Sequence, residues 1–198
     1  MTRVYVYTTG LVAFIAATAM IVASITEPNW VSYSVTTTAG ETLEKHIGLH
    51  KSCSSLDDPH CRDFPSKELC QYGERYFCSM WRTVGFMASF TIILCLASLI
   101  AFALVMNGGK YRRETGWPFV SALLTLVSAV EFIIISIVAY LYDHDDQFTV
   151  PGWNLDVSWY LGTVSAGISL VIAAGLAASA YLLPPEEGYE FLDDPLNA

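Results

Sequence analysis

Four stretches of this chain, residues 4–25, 84–105, 119–140 and 159–183, are almost wholly apolar, and only the third contains a charged side chain. A hydrocarbon layer about 30 Å thick, crossed at about 1.5 Å per residue, takes roughly 20 residues of helix. Each stretch reaches that length and no other segment does. With 54% hydrophobic and 15% charged residues among 198, the chain holds more apolar surface than one soluble core would hide. The sequence therefore predicts an integral membrane protein with four helical spans. Ala17, Thr18 and Ala19 form a small-residue pattern like a signal-peptide cleavage site. The first stretch is too long for a signal peptide and lacks a basic cluster, so it is expected to stay as an anchor.

The short connections set the expected orientation, because lysine and arginine near span ends stay in the cytosol. Residues 107–116 carry Lys110, Arg112 and Arg113 against Glu114, whereas residues 143–157 carry four acids and no lysine or arginine. The first connection is thus expected inside, with Arg3 and a cytosolic tail over 184–198. Residues 26–83 and 143–157 are then outside. The net charge of -9 lies mostly in the connections and the tail, and it argues against a nucleic-acid partner. Trp81, Trp117, Tyr142, Trp159 and Tyr181 fall near the expected interfaces, where amphipathic rings sit well.

Cys53, Cys61, Cys70 and Cys78 all fall in the long first connection, and Cys95 stands alone in an apolar stretch as a small buried hydrophobe. Outside the membrane, four cysteines in one loop predict two disulfides, with three connectivities open. Sequential pairing closes two short loops, each stabilising by on the order of 2–3 kcal/mol. A zinc site drawn from His46, His50, His60, Cys53 and Cys61 would need reduced thiols. The oxidising side favours disulfides, and no metal or cofactor is expected. Residues 30–38 read WVSYSVTTT, rich in β-branched and aromatic residues. Ala39-Gly40 then breaks the run before ETLEKHIGLH, which predicts a hairpin.

Trp30, then Gly48-Leu49-His50-Lys51-Ser52-Cys53, then Cys61, with Arg82 just before the second stretch, resembles the W…G-L-W-x-x-C…C signature of the claudin, peripheral myelin protein and stargazin-like superfamily. Four spans, a long first outer loop and a short second one extend the resemblance over nearly the whole chain. His50 stands where that family has its second tryptophan. The additional Cys70 and Cys78 look more like the stargazin-like auxiliary subunits or the PalI-type tetraspan proteins of the fungal cell cortex. The resemblance implies a left-handed four-helix bundle topped by a small extracellular antiparallel β-sheet, built from the first loop plus one strand over 148–153. It implies that Trp30 and Leu49 pack the sheet onto the bundle and that Arg82 anchors the outer interface. It further implies a Cys53–Cys61 disulfide, and with it a Cys70–Cys78 one.

Glu131 is the one ionisable carboxyl deep in a span, where a charge costs several kcal/mol. Two readings are open: a contact for a proton, a cation or a partner helix, or a protonated carboxyl hydrogen-bonded to a nearby hydroxyl or carbonyl. The plainer one is expected, because no second charge completes a relay. In the fourth stretch Ser165, Ser169, Ala173 and Ala177 recur every fourth residue, with Gly162 and Ala166 on a neighbouring row. Gly10, Ala13 and Ala17 do the same in the first stretch. Small-residue faces let helices approach closely, and these are expected to meet inside one chain. Tyr189 and Leu192 fit a tyrosine-based sorting signal, Y-x-x-apolar, in an acidic tail. The sequence offers no phosphate loop, no paired intramembrane acids and no H-E-x-x-H. A transporter or an enzyme is thus the weakest reading. A non-enzymatic plasma-membrane protein engaging lipids and other membrane proteins, or copies of itself, is expected. The alternative is an auxiliary subunit of a larger channel or membrane-enzyme complex.

Overall fold

A computed structural model describes residues 2–36, 42–71 and 75–183. Every apolar stretch forms a helix: α1 (Thr2–Thr26), α3 (Arg75–Asn107), α5 (Trp117–His144) and α6 (Val157–Leu182). All four are long and apolar enough to cross a membrane. Two further helices are short, α2 (Lys67–Gln71) and α4 (Gly109–Thr115). The long helices pack in the order α1, α6, α5, α3, and α1 also touches α3 to close the bundle.

Helix α3 begins at Arg75, well ahead of the apolar stretch that starts at residue 84. Its first turns carry Phe77, Cys78 and Trp81, all buried against the rest of the molecule, so packing extends the helix beyond its apolar segment. Residues 107–116, read as a plain connection, contain α4. Gly109, the first residue of α4, takes a φ of 78°, in the left-handed region, where the chain leaves the path of α3. Arg112 and Arg113 occupy the last turn of α4, where cations suit the helix dipole. Pro118 opens α5 at a position whose backbone N–H has no helical partner.

The first long connection folds as four strands, β1 (Val31–Thr36), β2 (Thr42–Ile47), β3 (Lys51–Ser54) and β4 (Cys61–Asp63). A fifth, β5 (Trp153–Leu155), comes from the connection before α6. The sheet runs β4-β3-β2-β1-β5, antiparallel throughout. In the hairpin, Val31 faces Ile47 and Thr36 faces Thr42. The fifth strand lies later than the expected 148–153. Residues Asp146–Phe148 form a 3-10 turn instead, and Pro151-Gly152, with Gly152 at φ 121°, turns the chain into β5.

The sheet sits at the bundle end where α1 finishes and α3 begins. Helix α4 lies at the other end, where the Tyr7 hydroxyl of α1 donates to the Arg113 carbonyl at 3.0 Å. The four loop cysteines and the basic connection are therefore at opposite ends of the molecule.

Candidate functional site

The sheet is held to the bundle by one buried layer. Trp30, Val31, Ile47 and Leu49 are each at most 2% exposed. The Trp30 indole points into the bundle and donates to the Ser24 carbonyl at 2.7 Å. The Trp81 indole donates to the Gly48 carbonyl at 3.3 Å, from α3 to the turn between β2 and β3. These two bonds satisfy the polar edge of each buried ring while its apolar body fills the junction. Trp81 is completely buried, so it is not an interfacial belt residue as its position in the sequence suggested. Tyr181, by contrast, is 80% exposed, and Trp117 packs edge-on against it.

Around Trp81 lies a cluster of aromatic residues that sequence reading missed. Phe77 stacks on Trp81 at 5.3 Å between ring centres, and Phe64 meets Trp81 edge-on at 5.5 Å. Phe148 bridges Phe77 and Trp153. The Tyr142 hydroxyl donates to the Trp153 carbonyl at 2.8 Å, which fixes β5 to the top of α5. The signal in the sequence was aromatic density near the helix ends that meet the sheet, and which rings meet depends on the fold.

Disulfides join Cys53 to Cys61 and Cys70 to Cys78. The first links facing residues of β3 and β4. The second ties α2 to the first turns of α3, and the Arg82 guanidinium lies 3.8 Å from Cys70 Sγ. With the thiols taken up in these bonds, the histidines find other company: His46 lies 3.7 Å from Asp156, and His50 rests over Gly85. Arg82 itself is exposed. Asp145, just past α5, accepts the Gln147 backbone N–H at 3.1 Å. Partial burial pushes its carboxyl above the usual range, and that hydrogen bond works against the shift.

Beneath Trp30 the interior is polar at a few points. Glu131 is 4% exposed, with Oε1 3.5 Å from the Ser165 hydroxyl. Ser165 donates to the Ala17 carbonyl of α1 at 3.1 Å. A cavity of about 20 Å³ lies between Glu131, Trp30, Ser24 and Thr91, large enough for one water molecule. Because Glu131 faces this interior, it is not placed as a handle for a helix outside the bundle. Cys95 is fully buried as a free thiol on α3.

The small-residue faces are occupied within the chain. Gly162, Ser165, Ala166, Ser169 and Ala173 are buried, and Ala177 is half-buried. Ser128 donates to the Ala166 carbonyl at 2.9 Å and Ser121 to that of Ala173 at 3.2 Å, stitching α5 to α6. Gly10 meets Ile172, and Ala17 meets Ser165, so α1 lies on the same helix. Ala13 is half-buried on that side. Tyr189 and Leu192 lie outside the described residues.

No protein-family model matches the chain, and no curated protein is significantly similar to it in sequence.

Proposed function

We propose that this chain is a non-enzymatic four-span protein of the plasma membrane, with both termini in the cytosol, that works through its disulfide-stapled sheet. The sheet makes protein–protein contacts outside the membrane, in adhesion or in organising the membrane around it. The observation that carries this reading is the sheet's asymmetry. Its base is fully buried on the bundle, whereas Ser34, Val35 and Thr36 of β1 are consecutive and all exposed, so the far end of β1 is open on both faces. A sheet that served only to close the bundle would have no need of that projecting end. The claudin-like resemblance of Trp30, Gly48, Leu49, Cys53 and Cys61 supports the same reading.

Purification of the tagged chain from its native membrane in mild detergent, with size and co-purifying proteins read by mass spectrometry, tests it. The expected complex is lost when Val35 or Lys45, both exposed on the sheet, is changed to Glu. A stoichiometric larger partner that stays bound to both variants would instead make the chain an auxiliary subunit docked through its spans.

A further inference from the structure

The outward face of α3 changes character along its length. Arg75, Ser79 and Arg82 are exposed on one side of its first turns, and Phe86, Phe90 and Ile93 continue the same exposed stripe below them. The helix has 33 residues, about 50 Å, against about 30 Å of hydrocarbon, and its apolar segment begins only at residue 84, so in a membrane its first turns would stand at headgroup level. The two arginines are seven residues apart, about 10 Å along the axis, and therefore on one face.

Between them lies an open groove of about 550 Å³, lined by the Cys70–Cys78 disulfide and by Phe86. A second groove of about 380 Å³ shares Arg82 and Phe86 and reaches His50. No Asp or Glu lines either groove among the described residues, and among those residues neither arginine forms an ion pair. In a chain of net charge -9, two guanidinium groups lining one groove that has no acid among the described residues are a concentrated exception. A guanidinium presents a planar fork of donors that matches phosphate oxygens in pairs.

We propose that this groove binds the phosphate of a phospholipid headgroup, held by Arg75 and Arg82, with the acyl chains lying along Phe86, Phe90 and Ile93. The inference rests on the membrane-spanning reading. What selects a lipid over a free phosphate is the unbroken passage from cationic to aromatic to aliphatic side chains on one helix face, which follows the profile of a phospholipid from headgroup to tail. The disulfide acts as a positioning element, because it holds α2 beside α3 and so keeps that lining next to Arg82.

The test is native mass spectrometry of the full chain in neutral detergent, titrated separately with dioleoyl phosphatidate, dioleoylglycerol and inorganic phosphate. Phosphatidate should be retained, dioleoylglycerol should be held at least about tenfold more weakly for want of the phosphate, and millimolar inorganic phosphate should not displace the lipid. Arg75→Gln with Arg82→Gln should lower phosphatidate retention by about tenfold or more. Ser79→Glu, which sets a carboxylate between the two arginines, should do the same and decides the matter if the double variant does not fold. Undiminished retention in a folded variant, equal retention of dioleoylglycerol, or full displacement by inorganic phosphate would overturn the proposal. A chain that stays in water without detergent would instead sink the spanning reading, a failure distinct from absent lipid binding in micelles.

Discussion

Gly48 has no room for a side chain. A Cβ there would lie 2.5 Å from the Pro28 Cα and 3.1 Å from the Lys51 carbonyl oxygen, backbone atoms that cannot swing aside. Gly48→Ala should therefore cost about 1–3 kcal/mol in thermal unfolding of the detergent-purified chain. Gly167→Ala, in α6 with nothing within 4 Å, should be neutral or stabilising by up to about 1 kcal/mol. Equal melting of the two variants would remove the close approach as the reason for glycine at 48. Glu131 allows a second test at this scale. Glutamine keeps the shape of the side chain and still reaches Ser165, so Glu131→Gln should change stability by less than about 1 kcal/mol. Collapse of that variant would mean that a charge is needed there. The motif made Gly48 and Trp30 visible in the sequence. The reasons they matter were not visible, since Pro28 approaches Gly48, and Ser24 meets Trp30, only once the sheet has settled on the bundle.

Elements were legible in proportion to how local their cause is. Apolar length gave all four long helices, and the break at Ala39-Gly40 between two β-rich segments gave the β1–β2 hairpin. Where packing decides, the sequence misled: α3 runs past its apolar segment because Phe77 and Trp81 are buried in the aromatic cluster, and β5 starts later because Pro151-Gly152 and the Phe148 ring claim the residues before it. The strands are short, with β4 only three residues long and exposed throughout, so they hold little core of their own. The Cys53–Cys61 bond supplies what the core lacks. Cys53→Ser or Cys61→Ser should destabilise the sheet by on the order of 2–3 kcal/mol and cause retention inside the cell, checked by surface biotinylation. Normal surface delivery of both variants would remove the structural role assigned to this disulfide.

At the scale of the whole molecule, two asymmetries coincide. The bundle carries its disulfides and sheet at one end, and Arg112 and Arg113 at the other. Basic charge near span ends keeps to the cytosol, and disulfides persist on the oxidising side, so one orientation satisfies both. The proposed role of the sheet depends on that orientation, because the sheet meets partners outside only if it is outside. The chain's own lysines report on it: Lys45, Lys51 and Lys67 are exposed at the sheet end, and Lys110 lies in α4 at the opposite end. The most direct measurement is labelling of intact and permeabilised cells with a membrane-impermeant amine reagent, mapped by peptide mass spectrometry. Lys45, Lys51 and Lys67 should be modified in intact cells and Lys110 only after permeabilisation; the reverse pattern, or labelling of all four in intact cells, would overturn the orientation.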